Sequence, residues 1–279
     1  AIRGLHSSRR FGWYGAAIVA CALGMASKAV MVTAPVMVFI YDLVFLRRSG
    51  MPKTSGAGRP HGGATLGHAT PPAQAARWGL YFGLAATWGV LWACDVTGEV
   101  LDPSARRSHV GFGYHGLTPL EYAATQPGVI LNYLRLSFWP VGLCLDYDWP
   151  IASIAIVIVP PALVLLLLLG ATAWGLVRRS WLGFAGAWFF LILAPTSSFI
   201  PIKDLAFEHR MYLPLAAVIA VVVFGGKTLL DAFFGRLSTG LKVMKWVGGA
   251  ATVVITLLLT YGTYQRNKDY RSDLAMWTD

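Results

Sequence analysis

Five ionisable side chains lie close together between two apolar stretches, in the segment 195–214, which reads P-T-S-S-F-I-P-I-K-D-L-A-F-E-H-R-M-Y-L-P. They are Lys203, Asp204, Glu208, His209 and Arg210. Charges next to apolar stretches are costly unless they face water or one another. Cationic side chains bind phosphate oxygens, so the cluster predicts an anion site. The alternative is an interfacial loop that pairs its own charges.

The prolines of this segment set its predicted backbone. Pro195 and Pro201 are expected to break the incoming helix and to favour extended or turned structure. Asp204 is a suitable N-cap, so a new helix is predicted to begin near it. Cations near a helix N-terminus oppose the helix macrodipole. Their presence here therefore favours a phosphate that is bound jointly by cations and free backbone N–H groups.

The composition indicates a helical membrane protein. Of the 279 residues, 56% are hydrophobic and only 13% are charged, and the mean hydropathy is +0.57. A soluble domain has about 25% charged residues. The net charge is +10, but the basic residues lie mostly in short loops between apolar runs, so no nucleic-acid partner is predicted. The three cysteines lack metal-ligand spacing, and no metal site is predicted.

The apolar runs predict an all-α protein with about seven transmembrane helices, in one integral-membrane domain that covers 1–279. The run 11–46 is too long for one span and is interrupted near Lys28, so it is interpreted as two short spans that meet there. The other predicted spans are 78–94, 151–177, 181–200, 211–226 and 246–264.

Basic residues orient these spans. The segments assigned to the cytoplasm contain 14 of the 23 lysines and arginines, and most acidic residues fall on the other side. The Gly- and Pro-rich segment 47–77 is then a flexible cytoplasmic loop. The loop 95–150 and the tail 265–279 are extracytoplasmic. The polar chemistry is therefore expected outside the cytoplasm.

The loop 95–150 contains a predicted helix and further candidate contacts. Apolar and aromatic residues recur at helical spacing over 119–139, which predicts an amphipathic helix on the outer membrane surface. Arg135 on this helix is a second candidate for phosphate, or a solvated charge. Asp146 and Asp148 share a face of an extended segment, which suits a divalent cation, an acceptor hydroxyl or an ordinary hydrated loop.

Four stretches of the sequence together carry a resemblance to a known family. They read L-G-M-A-S-K at 23–28, L-A-P-T-S-S-F-I-P at 193–201, F-E-H-R-M-Y-L-P at 207–214 and N-K-D-Y-R-S-D-L-A-M-W-T-D at 267–279. Together they resemble bacterial membrane proteins that carry C-terminal tetratricopeptide repeats. Those proteins are similar to the transmembrane and tetratricopeptide-repeat O-mannosyltransferases. The resemblance covers most of the chain beyond Leu23, except the segment 51–76.

The resemblance implies a glycosyltransferase of the GT-C fold in a bacterial inner membrane. Such an enzyme takes a sugar from a polyprenyl-phosphate carrier and places it on an extracytoplasmic protein or glycan acceptor. No cofactor is firmly implied, and a divalent cation is left open. The family usually has an acidic residue after Ser-Lys, where this chain has Ala29. Its catalytic acid is expected before Ala1 and its repeats after Asp279, so the chain is expected to be a fragment whose catalytic residue is unknown.

Within this resemblance, the residues of the E-H-R-x-Y string receive candidate roles. Arg210 grips the carrier phosphate with its bidentate guanidinium. His209 donates to the phosphate or satisfies a nearby carbonyl. Glu208 orients Arg210 or Lys28. Tyr212 lies one turn from Glu208 and shares its face, or it is an aromatic residue of the membrane interface.

Two lysines complete the predicted phosphate site. Lys28 and Lys203 add positive charge, although Lys28 is also in a position to extend its ammonium group to the interface from a helix end. Unpaired charges at this depth are costly, so Lys28 and the cluster 208–210 are expected to gather around one polar cavity.

Three functions from different classes fit these patterns. The first is a polyprenyl-phosphate-dependent glycosyltransferase. The second is a non-catalytic membrane anchor that presents tetratricopeptide repeats. The third is a transporter or flippase with Lys28 and Arg210 on the substrate path, but charges at the ends of spans favour the first function over the third.

Overall fold

The computed structural model describes residues 10–46, 71–94, 117–144, 147–234 and 240–269, which form helices and connecting turns but no strand. This confirms the all-α class. The α-helices are α1 (Arg10–Ser27), α2 (Ala34–Tyr41), α3 (Pro71–Ala86), α4 (Trp88–Ala93), α5 (Pro119–Phe138), α6 (Ala155–Val177), α7 (Trp181–Leu193), α8 (Leu215–Phe234) and α9 (Gly240–Asp269). A 3-10 turn at Ala29–Thr33 precedes α2, and a π-helical turn at Asp42–Leu46 follows it.

The first apolar run is interrupted near Lys28, as its sequence predicts. Lys28 is extended, with φ −155° and ψ 127°, between the end of α1 and the 3-10 turn. Helix α1 packs against α3 and α4, and buried residues such as Tyr14, Met25 and Leu84 form the shared core. The break therefore places Lys28 at the end of a packed helix.

A buried acid joins the second half of this run to α3. Asp42 is 4% exposed, and its Oδ2 accepts a 2.6 Å hydrogen bond from the Tyr81 hydroxyl. The Arg77 guanidinium lies 3.7 Å from Oδ1. A buried carboxylate needs such partners because removing one leaves charge that is not compensated.

Helix α5 lies where the sequence predicts a helix over 119–139. Thr118 accepts a hydrogen bond from the Glu121 backbone and the Glu121 carboxylate accepts one from Thr118, so a capping box begins the helix. Its periodic residues Tyr122, Val129 and Tyr133 are buried against the rest of the protein, whereas Trp139 is 68% exposed. The apolar face of this helix therefore contributes to the protein core.

Helices α6 and α7 approach each other closely through glycines. A Cβ atom added at Gly175 would lie 2.8 Å from the Gly183 Cα. Ser180 caps α7 by accepting a hydrogen bond from Gly183 N at 3.0 Å. Helix α7 also packs against α2 and α8, which makes it the central helix of this half of the protein.

Two of the described helices are long and apolar enough to cross a membrane, namely α6 and Leu215–Ala232 of α8. The segments Phe11–Ser27, Val30–Leu46 and Trp181–Leu193 are apolar but shorter. Two of the seven predicted spans therefore correspond to helices that could cross a membrane. The number of spans and their orientation stay a proposal.

Several helix ends differ from the predicted spans. Helix α3 begins at Pro71 within the predicted loop 47–77, because prolines are tolerated in a first turn and Ala-rich sequence follows. Helix α7 ends at Leu193, just before Pro195, instead of continuing to Ile200.

The last two helices are longer than the predicted spans. Helix α8 extends past Gly226 to Phe234, and an ion pair of 2.6 Å between Lys227 and Asp231 lies on its exposed surface. Helix α9 extends beyond 246–264 to Asp269, into the predicted tail. The predicted spans stop before charged residues, because charges are costly in a membrane. A charged residue does not stop an α-helix, so both helices continue past the predicted ends.

Candidate functional site

The segment 195–214 is a compact turn between α7 and α8. The backbone N–H groups of Thr196 and Ser197 both donate to the Leu193 carbonyl, at 3.0 and 2.8 Å. A 3-10 turn covers Glu208–Met211, and the next α-helix begins only at Leu215. The predicted helix start near Asp204 is therefore wrong.

Arg210 explains why this backbone does not need to be helical. Its Nη1 donates to the carbonyl oxygens of Thr196 at 3.1 Å and Leu205 at 3.2 Å, and its Nη2 donates to that of Asp204 at 2.6 Å. Nη1 also lies 3.4 Å from the Tyr122 hydroxyl. One guanidinium thus satisfies carbonyls that a helix would otherwise pair with backbone N–H groups.

Two buried tyrosines of α5 hold the same segment from the other side. The Tyr122 hydroxyl donates to the Thr196 carbonyl at 2.6 Å. The Phe207 N–H donates to the Tyr133 hydroxyl, also at 2.6 Å. Both tyrosines are nearly inaccessible to solvent. Helix α5 therefore fixes the turn from which Glu208, His209 and Arg210 project.

Glu208 has a partner that sequence reasoning missed. The Tyr147 hydroxyl donates to Glu208 Oε1 at 2.8 Å. Burial and the neighbouring Glu208 carboxylate raise the pKa of Tyr147, so this hydroxyl stays protonated as a donor. The carboxylate is thus bound to Tyr147, and no hydrogen bond joins it to Arg210 or Lys28 within the described part of the chain.

A cavity of about 330 Å³ lies beside this turn. Lys28, His209 and Arg210 line it together, although Lys28 comes from the distant end of α1. The expected gathering of these cations around one cavity is therefore present, whereas Glu208 is not among the lining residues. The other lining residues are Val30, Ile192, Thr196, Ile202, Asp204, Phe207, Tyr212 and Leu213.

The pKa of His209 depends on its burial and on the charged residues around this cavity. Partial burial lowers its pKa, and the nearby Arg210 and Lys28 lower the pKa further, while Asp204 opposes the shift. Its ring lies against Phe207 with 4.9 Å between the ring centroids. An anion in the cavity would offset the cations and stabilise the protonated ring.

Lys28 is the cation with the most free donors. Within residues 10–46, 71–94, 117–144, 147–234 and 240–269, its ammonium makes no hydrogen bond or ion pair. Arg210 uses both N–H groups of Nη1 and one of Nη2 on protein acceptors, out of five N–H groups in total. Phosphate would therefore find more open donors on Lys28 than on Arg210.

Three other predicted contacts that the structure describes do not line the cavity. Lys203 is exposed and does not line it. Arg135 lies on an exposed face of α5, where its Nε donates to Asn132 Oδ1 at 3.1 Å. Asp148 is exposed in a left-handed conformation with φ 36°. Asp146 lies outside the described residues.

Tyr212 lines the cavity with 83% of its surface exposed. It begins the short stretch that leads into α8, so it forms the rim of the cavity.

In the part of the chain that the structure describes, no three His, Cys, Asp or Glu side chains are grouped to hold a metal ion.

Comparisons of the chain with protein-family models, curated proteins and solved structures find no match. Function is therefore inferred from the chain's own residues and from the shape and charge of this cavity.

Proposed function

We propose that the chain is the membrane domain of a glycosyltransferase that takes a sugar from a polyprenyl-phosphate carrier and transfers it to an extracytoplasmic acceptor. The observation that carries this proposal is the cavity that Lys28, His209 and Arg210 line beside the start of α8. Three basic side chains around one small cavity suit a phosphate group.

The setting of the cavity favours a lipid-borne phosphate. Helix α8 begins four residues after Met211, and it is one of the two candidate spans. No residue in the most apolar stretch of α6 is buried inside the protein, and only 11% of that of α8 is. Apolar helices with such exposure need lipid around them. A phosphate on a lipid would therefore reach the cavity from the bilayer surface.

The reaction needs positive charge at this place. When the bond between the sugar and the phosphate breaks, negative charge grows on the departing phosphate. The ammonium of Lys28 approaches as a point charge, and Arg210 is held rigid by three carbonyls. Fixed cations stabilise the growing charge without reorganising during the step.

The test is binding of a polyprenyl phosphate to the full chain in nanodiscs. Lys28→Gln should weaken binding by about tenfold to a hundredfold, which is the usual range for a lost charge-assisted hydrogen bond. His209→Gln should weaken it less, because a neutral histidine is only a single donor. Lys227→Gln is the matched control, since Lys227 lies on the exposed surface of α8 in its pair with Asp231.

Two results decide whether the cavity holds the phosphate. Equal affinity of the wild type, Lys28→Gln and Lys227→Gln would show that it does not. Loss of affinity only in the Lys28 and His209 variants, with unchanged melting temperatures, would support the site. Transfer from a polyprenyl-phosphate sugar to an added acceptor, measured with the full-length protein, then tests the enzymatic step itself.

A further inference from the structure

One acidic residue that lines the cavity is not explained by phosphate binding. Asp204 lines it together with Lys28, His209 and Arg210. The charge of its carboxylate raises the pKa of His209, which lines the same cavity. The backbone carbonyl of Asp204 is occupied separately, by Arg210 Nη2.

This carboxylate is not paired with the cations around it. Within the described ranges, its oxygens make no hydrogen bond, and no lysine, arginine or histidine nitrogen lies within the 4.0 Å of an ion pair. Lys28 is likewise without a partner there. Opposite charges that line one cavity without touching leave a gap between them, and a ligand that fills this gap needs a negative end and a hydrogen-bond donor end.

A bare phosphate meets only half of this requirement. Lys28 and Arg210 attract it, but a carboxylate in the same cavity repels it. Sugar hydroxyls donate hydrogen bonds, and a carboxylate accepts them strongly. The volume of about 330 Å³ is at the small end of ligand sites, which suits one sugar unit with its phosphate.

We propose that Asp204 accepts hydrogen bonds from hydroxyl groups of a single sugar whose phosphate is held by Lys28, so that the cavity prefers a sugar-bearing phosphate lipid to the bare phosphate lipid. This inference rests on the proposed function and names the residue that recognises the sugar. The cations bind the phosphate, which both lipids have, and Asp204 binds the sugar, which only the hexosyl form has.

The experiment compares lipids that have the same polyprenyl group. One is the bare polyprenyl phosphate, and the others are its hexosyl forms, one with mannose and one with glucose. Affinities are measured for the full chain in nanodiscs. The wild type should bind at least one hexosyl form more tightly than the bare phosphate. Asp204→Asn should bind that hexosyl form about tenfold more weakly. It should bind the bare phosphate as tightly as the wild type or more tightly, because a repulsive charge is removed.

Two further variants keep the test decisive. Asp231→Asn removes an exposed carboxylate of the same type on α8 and should leave both affinities unchanged. Asp204→Ala removes the acceptor oxygens as well as the charge and should abolish the preference for the sugar. Melting temperatures show which variants are folded. If Asp204→Ala is not folded, the nearly isosteric Asp204→Asn variant alone is used.

The outcomes separate this inference from the proposed function. If the wild type binds the bare phosphate through Lys28 but shows no preference for either hexosyl form, the role of Asp204 is wrong and the phosphate site stands. The role of Asp204 is equally wrong if Asp204→Asn keeps the wild-type preference. If the wild type binds neither kind of lipid, the proposed function fails, and this inference fails with it.

Discussion

The Tyr147 hydroxyl donates a 2.8 Å hydrogen bond to Glu208 Oε1, between two segments that are 61 residues apart in the chain. Tyr147 follows α5, and its ring packs at the edge of the core that α5, α7 and α8 share. Glu208 begins the 3-10 turn beside the cavity. The bond therefore ties the turn that carries His209 and Arg210 to the packed core.

Replacing Tyr147 by Phe should destabilise the protein. The substitution keeps the ring and removes only the hydroxyl, so a partly buried carboxylate loses its neutral donor. A hydrogen bond to a charged group contributes about 1.5–3 kcal/mol, and the partial exposure of Glu208 places the expected loss near the lower end. Thermal unfolding in detergent measures this loss.

Tyr212→Phe is the control for that measurement, because Tyr212 is 83% exposed and makes no hydrogen bond through its hydroxyl among the described residues. Its melting temperature should equal that of the wild type. If Tyr147→Phe also melts with the wild type, the bond to Glu208 contributes nothing to stability, and Glu208 must then be assigned another role.

His209 should make stability depend on pH. Its folded pKa lies below the ordinary value of 6.5, so between these two values the unfolded chain binds more protons than the folded one. The contribution of His209 is therefore fully present above pH 6.5 and is lost as the pH falls through the folded pKa. His209→Gln should flatten the fall in melting temperature between about pH 7 and about pH 5.

Lys28→Gln provides the matched comparison for this pH dependence. The charge of Lys28 helps to lower the pKa of His209, so its removal should raise that pKa and reduce the pH-dependent fall. A fall identical in the wild type and in His209→Gln would show that other groups cause it. A phosphate ligand should raise the pKa of His209, which a titration of its ring protons by NMR can follow.

Gly183→Ala should destabilise the contact between α6 and α7. A methyl group at this position would overlap the backbone of Gly175 and Leu176, which cannot move as a side chain can. Overpacking of this kind costs about 1–3 kcal/mol, or more when backbone must shift. Gly170→Ala on α6 meets no atom within 4 Å, so it should leave stability unchanged or raise it by up to about 1 kcal/mol. Equal melting of the two variants would contradict the close packing.

The predicted orientation can be tested on two described, exposed residues. Arg178 follows α6 in a segment assigned to the cytoplasm, and Lys203 lies in the turn assigned to the outside. In a background in which Cys21, Cys94 and Cys144 are replaced, Lys203→Cys should react with a membrane-impermeant maleimide on intact cells. Arg178→Cys should react only after permeabilisation, and the reverse pattern would invert the topology.

Local sequence signals predicted the helices whose ends are set locally. Pro119 suits a first turn, and the apolar spacing after it matches the observed α5. Ser27 and Lys28 interrupt a long apolar run, and the chain leaves helical geometry there. In both cases the nearest few residues decide the backbone, so periodicity and a single polar interruption are sufficient.

Where distant residues decide, the sequence was insufficient. Asp204 has the chemistry of an N-cap, but Arg210 and Tyr122 satisfy the local carbonyls through contacts that periodicity does not reveal. The Tyr147–Glu208 bond is likewise a contact between two loops. The cations at the cavity could be named from the sequence, because charges next to apolar runs must share the available polar space. The place of Asp204 among the residues that line the cavity could not.

Arg210 provides the last prediction, since it both shapes the turn and lines the cavity. Arg210→Ala removes the donors to the Thr196, Leu205 and Asp204 carbonyls together with the cation. In the full-length protein, sugar transfer should fall by about 10²–10³ in turnover, the typical loss for one preorganised donor, and the melting temperature should fall as well. Arg210→Lys keeps the charge but loses the planar fork, so it should retain part of the activity.

Binding and folding must be separated for this residue. Arg178→Ala is the matched control, because Arg178 is exposed at the end of α6 and its guanidinium lies 5.4 Å from the centroid of the exposed Trp174 ring. It should leave turnover unchanged and lower the stability by no more than about 1 kcal/mol. A purely structural role would lower the melting temperature of Arg210→Ala while the folded fraction kept its turnover and its affinity for the polyprenyl phosphate. If Arg210→Ala melts with the wild type and transfers sugar at the wild-type rate, Arg210 neither binds the phosphate nor holds the turn, because both roles require its guanidinium.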